Sequence, residues 1–584
     1  MKHPCKSVLF ALLIGTGILG NVNTAIAKPG ERPFIITIMV NHPEQDITFH
    51  IKPDNLMIHL PSEAQIAPKI SPVMKNYKVK DSVEVPNACY DVQDYPVKYD
   101  VDIGADGSYE YTNITDDITL HFEKPGNHKI AFRGTIPRIS MDNAVRHIGS
   151  LIFKESFSGE VHEVFEIRPS ELDSYIDEVN QWGDIQWKSM HTMFAGQPFL
   201  KITAKDRPIL KNVRDFTGMF LHNFALNHPI NDWDMSSAVC TRYMFAYAVN
   251  FNQPLNKWNT GNVVDMSGMF NEARKFNQPI GSWNTAKVKY MSSIFSDAYA
   301  FNQPINTWNT SNVSHLATAF SGAKAFNQKL DKWRTSNVVD MRAMFNNAHK
   351  FNQSLNTWDV SQVRSFYAFF KDAHDFNQPL DKWNTSNAVM MRQMFQNARS
   401  FNQPIGMWNT SNVNNMLRMF EGASAFNQPI ETWDVSQVTT FLSMFSEATS
   451  FNQPLEKWNV SNAKQMAWMF AYTQRFNQPL EKWDVSNVTE MTRMFAGTHA
   501  FNQPLNAWDV SNVAIMNGMF LHARSFNKPL DKWNLSNLQD CRYMFNDSKA
   551  FNKDLDSWDL SHVKIKYSMF DGAEKMKGKR PRGL

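Results

Sequence analysis

"FNQPLNKWNTGNVVDMSGMFNEARK", residues 251–275, is followed by "FNQPIGSWNTAKVKYMSSIFSDAYA", residues 276–300, and close variants then recur at every twenty-fifth residue. Phe opens each unit from Phe251 to Phe551, and Leu226 opens the first, giving fourteen repeats. Their shared form is F-N-Q-P-[LI]-x-x-W-[ND]-[TV]-S-N-V-x-x-M-x-x-M-F-x-x-A-x-x. A fixed period of this size is the signature of a solenoid, each unit being one supersecondary element stacked on the next. A lone unit has too few large side chains to offset the ordering of its own backbone. It must share its apolar faces with both neighbours, so the repeated Trp, Met-Phe and Phe are each expected to stack on their own copies. The positions that vary are expected to face water.

Inside the unit the apolar spacing changes halfway. Leu255, Trp258 and Thr260, with polar Asn259 between the last two, suit a short strand. Val263, Met266, Met269, Phe270 and Ala273 have the spacing of one face of a 3.6-residue helix. Ser311, Ser336, Ser361 and Ser411 precede that stretch in their units and read as helix N-caps. The expected fold class is therefore an α/β solenoid with one short strand and one helix per turn. Asn252 and Asn262 recur in nearly every copy and read as buried amide ladders that satisfy backbone groups at the turns. The methionines read as core filling and not as metal ligands.

These repeats resemble those of the BspA-like bacterial surface proteins, which have leucine-rich-repeat character. The L-x-x-W-x-[VT] segment is similar to the L-x-x-L-x-L strand of leucine-rich repeats, with Trp in a Leu slot. The likeness reaches upstream to "QWGDIQWKSMHTMFAG", residues 181–196, where Met190, Met193 and Phe194 repeat the M-x-x-M-F signature. The resemblance implies an exported or cell-surface array that binds host proteins or other bacteria.

The remaining chain divides into segments. Residues 1–27 read as a signal peptide: Lys2 and Lys6, an apolar Ser7–Gly20 stretch, and the small-x-small site Ala25-Ile26-Ala27. Its Gly15–Gly20 match to GxGxxG has no βαβ unit around it. Residues 28–140 alternate apolar and polar residues between Pro and Gly breaks, an all-β pattern. Within it, Tyr99–Gly134 resembles an immunoglobulin-like module. Residues 141–225 read as a capping segment with degenerate repeats, opened by a short helix at Pro169–Asp173. Residues 226–574 form the repeats, and residues 575–584 a solvated basic tail. The formal charge of +3 on 584 residues, smaller still without the leader, gives no footprint for nucleic acid, and no later segment is apolar enough to enter a membrane. The expected location is therefore secreted or cell-surface, with the periplasm left open.

No catalytic motif appears outside the leader, and His162, Glu163 and Glu166 read as ordinary strand residues, so no enzyme activity, cofactor or metal is expected. Cys541 stands in a core Met slot, and Cys89 could bridge to Cys240. Partner-binding candidates lie instead on the outside of the array. One column holds Asn309, Arg334, Asp359 and Asn384, flanked by acid–Lys pairs such as Asp331-Lys332, Glu456-Lys457 and Glu481-Lys482. A second group, Leu417, Leu442, Trp468 and Tyr472, would form an apolar stripe suited to a partner or a second copy. Two functions follow. One is an adhesin-like protein binding a host or bacterial surface protein, or a glycan. The other is a spacer or surface-layer protein whose regularity serves length alone.

Overall fold

The structure, a computed structural model, describes residues 32–51, 96–141 and 174–584. The expected leader, Cys89, the residue 162–166 segment and the start of the expected helix at 169–173 lie outside these residues; where that helix would continue, Ser174–Gln181 forms a strand instead. The N-terminal part is a two-sheet assembly of strands β1 (Phe34–Val40), β2 (Gln45–His50), β3 (Lys98–Ile103), β4 (Tyr111–Ile114), β5 (Ile118–Phe122), β6 (Gly126–Thr135), β7 (Ser140–Met141), β8 (Ser174–Gln181) and β9 (Lys201–Ile202). One sheet runs β4-β3-β6-β1-β8-β9 and the other β5-β2-β7. Strand β5 alternates buried and exposed residues, as a strand covered on one face should. In β1, by contrast, Phe34, Ile36, Ile38 and Val40 are wholly buried between central neighbours.

Strand β8 joins the two parts of the chain. It pairs antiparallel with β1 but parallel with β9, Glu178 opposite Lys201. That parallel step is the step of the solenoid itself. A single parallel bridge joins Gln186 to Ile209, and a column of them then runs from Asp215–Cys240 through Cys240–Asp265 and Asp265–Tyr290 to Asp540–Ile565, interrupted between Asp340 and Ser365. The stack thus begins upstream of Leu226: Met190, Met193 and Phe194 are buried and Met190 N–H already donates to the Asp215 carbonyl in the next coil. Aromatic packing crosses the junction without a gap. Trp182 stacks on Phe34 at 5.7 Å and meets Trp233 edge-on at 5.3 Å.

Each coil is built from turns, and this corrects the expected fold class. No helix occurs among the described residues, and the L-x-x-W-x-[VT] segment forms no strand. In the stretch read as a helix, N–H groups alternate between two directions. Met266, Gly268, Phe270 and Glu272 donate to the carbonyls of Tyr290, Ser292, Ile294 and Ser296 in the next coil at 2.7–3.0 Å. Met269, Asn271 and Ala273 donate to the carbonyl three residues back at 3.0–3.1 Å. A helix would keep all of these bonds inside one segment, four residues apart. Here residues 268 and 272 have left-handed backbone, φ +61° and +56°, each at the third position of a four-residue turn. Each left-handed residue reverses the screw, so the chain travels round the coil instead of along a helix axis. Both arrangements return a side chain to the core every three or four residues, so apolar spacing alone cannot separate them. The serines are not N-caps either: Ser311 N–H donates to Asn309 Oδ1 at 3.1 Å, an Asx turn.

The core is a set of aromatic ladders. Trp258 and Trp283 lie 6.3 Å apart with planes 5° from parallel, Phe251 and Phe276 6.0 Å apart, and Phe245 and Phe270 5.6 Å apart. From Trp258 to Trp558, each ladder indole N–H donates to a carbonyl of the preceding coil, as Trp283 does to Leu255 at 2.9 Å. The amide ladder expected of Asn252 is present: Asn277 N–H and Gln278 Nε2 both donate to Asn252 Oδ1, at 2.9 and 3.1 Å. Asn262 Nδ2 donates to the Ser236 carbonyl at 2.8 Å, but Asn262 is exposed, so its ladder lies on the surface and not in the core as expected. Cys541 is a buried free thiol, pushed up to about 12 by burial and the nearby Asp540. Cys240 is disulfide-bonded.

The C-terminal tail departs from the solvated reading. Arg582 bridges to Asp559, Leu555 N–H donates to the Lys579 carbonyl at 2.8 Å and Leu560 N–H to the Arg582 carbonyl at 2.9 Å. Pro581 is buried. The tail is one further rung laid on the last coil, covering the backbone edge that an open stack would expose.

Candidate functional site

The column of Asn309, Arg334, Asp359 and Asn384 is exposed throughout. Its carboxylates and amides are nevertheless engaged in the fold. Asp359 Oδ1 accepts from Ser361 N–H at 2.9 Å and Asn384 Oδ1 from Ser386 N–H at 3.1 Å, as Asn309 does from Ser311. Arg334 cannot form this turn; its backbone N–H donates to Thr310 Oγ1 at 2.8 Å instead. The flanking charges pair between coils and not within them: Lys457 reaches Glu431 at 3.2 Å and Lys482 reaches Glu456 at 3.4 Å. Asn306 Nδ2 likewise donates to Asp331 Oδ1 at 2.6 Å. This face spends most of its polar groups on itself.

The second group is divided by the fold. Leu417 and Leu442 are half-buried in one column of adjacent coils. Trp468 and Tyr472 occupy the two left-handed positions of the following coil, φ +60° and +58°. Trp468 is half-buried, with the Arg493 guanidinium 4.6 Å over its ring, so part of its surface is already covered by a cation. Tyr472 is more exposed and stands at the end of a groove.

That groove, about 510 Å³, crosses four coils and is lined by Asn397, Arg399, Gly422, Ser424, Glu447, Thr449, Tyr472 and Gln474. It lies between two columns: the second left-handed position (Asn397, Gly422, Glu447, Tyr472) and the position two residues on (Arg399, Ser424, Thr449, Gln474). Gly422 leaves a gap in the first column where Asn397 crosses it; a Cβ there would meet Asn397 Oδ1 at 2.2 Å. Ser424 and Thr449 turn their hydroxyls onto carbonyls of the preceding coil, Arg399 and Ser424, both at 3.3 Å, and form a closed floor. Tyr472 lies against Gly497, whose absent Cβ would sit 2.5 Å from the ring. Behind the floor, Glu421 is held by Gln396 Nε2 at 3.1 Å and Arg418 at 3.2 Å, and burial still raises its carboxyl above the ordinary range. Sequence reasoning found Tyr472 but not its companions. The signal was present in the Asn-Gly-Glu-Tyr order of one column, read across four units.

Further up the same columns, Glu272 and Asp297 face Arg274, Tyr299 and Lys324. Arg274 Nε donates to Glu272 Oε2 at 2.8 Å, and Lys324 lies 4.1 Å over the Tyr299 ring. Burial and then the Glu272 charge push the Asp297 carboxyl up to about 6. Among the described residues no three His, Cys, Asp or Glu side chains converge to hold a metal ion.

Coils laddered by parallel bridges, filled by stacked rings and turned by left-handed residues define a tandem-repeat solenoid. The chain belongs to the family described as Mycoplasma protein of unknown function, DUF285, which matches residues 161–266, 214–333, 315–428, 404–496 and 475–581. No curated protein matches it.

Proposed function

We propose that the protein is exported and acts as an adhesin-like binding protein, presenting the outer surface of its solenoid to a host or bacterial surface protein or to a glycan. The reading assigns it no catalytic role, no cofactor and no nucleic-acid or membrane-inserted partner. It takes up the resemblance to BspA-like surface proteins for function only, the leucine-rich geometry having given way to turns. The observation that carries it is the contrast between two outer faces. Along the Asn309 column the Asn and Asp side chains, though not the Arg334 guanidinium, are consumed by Asx turns. Around the groove, Arg399, Glu447 and Gln474 are exposed side chains not drawn into that bonding, beside an exposed aromatic ring. Side chains that do not build the stack are available to a partner.

The spacer reading draws on the first of those faces, where regularity serves only the stack. Two measurements separate them. Fractionation of cells making the full chain, leader included, should place it outside the cytoplasm. Solid-phase binding of the purified chain to immobilised fibronectin, laminin, collagen and whole epithelial or bacterial cells should be saturable for at least one surface. Cytoplasmic retention, or uniformly non-saturable binding, would sink the adhesin reading.

A further inference from the structure

We infer that the groove ending at Tyr472 is a carbohydrate site that takes a short neutral oligosaccharide, one pyranose ring lying on the Tyr472 face that Gly497 does not cover. The inference rests on the binding role proposed above and names its ligand class. Three features of the groove lead to it.

The aromatic ring is fixed in place. Gly497 has φ +64° and no room for a Cβ, which would stand 2.5 Å from Tyr472 Cδ1 and 2.9 Å from Cε1. One side of the ring therefore rests on backbone, and the residue, 36% exposed, lines the groove. A platform held this way loses little freedom on binding, and Tyr offers an apolar face with a polar tip. A sugar ring, with its C–H face and hydroxyl rim, matches both.

The flanking groups are those that bond hydroxyls. Glu447 offers acceptors, Arg399 donors and Gln474 both, all three exposed on the groove walls. The single Arg and single Glu offset one another, so the groove has no net charge to select an anionic ligand. Ser424 and Thr449 have their hydroxyls turned into the floor, leaving the walls to make the contacts. The apolar area is one ring, too small for the desolvated centre of a protein interface but sufficient for a sugar. Four coils at a strand-like spacing of about 4.8 Å give a run of roughly 14 Å, room for a few sugar units.

The test is titration of the full chain with maltotriose, cellotriose and tri-N-acetylchitotriose, and with a heparin tetrasaccharide as the anionic arm, followed by calorimetry. At least one neutral trisaccharide should bind saturably, Tyr472→Ala should weaken it by roughly tenfold or more, and the melting temperature should stay put. Ser424→Lys, which fills the groove from its floor, should block the same sugar and covers the case in which Tyr472→Ala fails to fold. Binding of heparin alone, of no neutral sugar, or of a neutral sugar equally well to both variants would overturn the assignment. Saturable capture of a matrix protein by wild type and Tyr472→Ala alike, without sugar binding, would remove the glycan site and leave the adhesin role standing.

Discussion

Ala343 has φ +51° and is 8% exposed, in the column where Gly268 and Gly518 also stand. A residue with a Cβ is strained there, and glycine is not. Ala343→Gly should therefore hold or raise stability, by about 0.5–1 kcal/mol, in urea or guanidinium melts. In a helix the same change would cost about 1 kcal/mol, so its sign separates the two folds. Inward positions behave as the sequence suggests. Trp383 is 3% exposed, stacks on Trp408 at 6.2 Å and donates its indole N–H to the Leu355 carbonyl at 3.0 Å. Trp383→Ala should cost about 3–5 kcal/mol through a cavity shared by adjacent coils. Asn384→Ala, one residue on, loses only an exposed Asx turn and should cost under about 1 kcal/mol. Equal losses for the two would reverse the inward and outward assignment. The inward set was legible because volume must match from coil to coil. The left-handed set was not, because Ser, Thr, Arg, Trp and Gly alternate there without a common chemistry.

What links those varied residues appears only at the scale of the coil, where each left-handed side chain leans over its successor. Tyr472 lies over Gly497, Asp297 over Gly322, Asn397 over Gly422 and Tyr243 over Gly268, each leaving under 2.6 Å for a Cβ. In these four pairs the side chain in one unit is accommodated by glycine in the next, whereas Trp468 is followed by Arg493 and Tyr247 by Glu272, and periodic averaging over units hides the pairing. The helix expectation failed for this reason: spacing reports which residues point inward, not which way the backbone screws between them. Gly497→Ala should be strongly destabilising, whereas Gly518→Ala, facing the flexible Arg493 Cγ at 3.3 Å, should be milder. Adding Tyr472→Ala to Gly497→Ala should recover the steric part of the loss in a double-mutant cycle, leaving the backbone strain. Asp297 is half-buried, and desolvation together with the Glu272 charge raises its carboxyl from an ordinary 3.8 to about 6. The folded chain then holds a proton that the unfolded chain releases, so stability falls as pH rises from about 4 to 6. Asp297→Asn should flatten that part of the curve of melting temperature against pH; a curve that keeps its wild-type slope would mean the carboxylate is solvated.

Over the whole molecule, the period announced a stack, and the stack is present; its upstream start was legible in Met190, Met193 and Phe194, but how its two ends are closed could not be read from it. Repeats fade where neighbours are lost, so the residues that close a solenoid carry the weakest signature of it. At the N-terminal end a strand of the β-sheet, β8, offers a parallel edge to the first coil. At the C-terminal end the segment 575–584 follows the last coil, and its basic composition suggested a solvated tail. Its backbone instead supplies what coil 551–574 lacks: the Lys579 carbonyl for Leu555 N–H, the Arg582 carbonyl for Leu560 N–H, and an Arg582 N–H for the Trp558 carbonyl at 2.9 Å. Lys579 also reaches Asp556 at 3.1 Å. Truncation after Glu574 would leave those groups open above a Trp558 that is now 1% exposed. An uncovered edge over a stacked aromatic core either frays or pairs with another edge. The shortened chain should show faster amide exchange confined to the last coils, and concentration-dependent self-association by analytical ultracentrifugation, while the β1–β8 sheet keeps its protection. Exchange and sedimentation identical to the full chain would mean that the tail lies on the last coil without closing it.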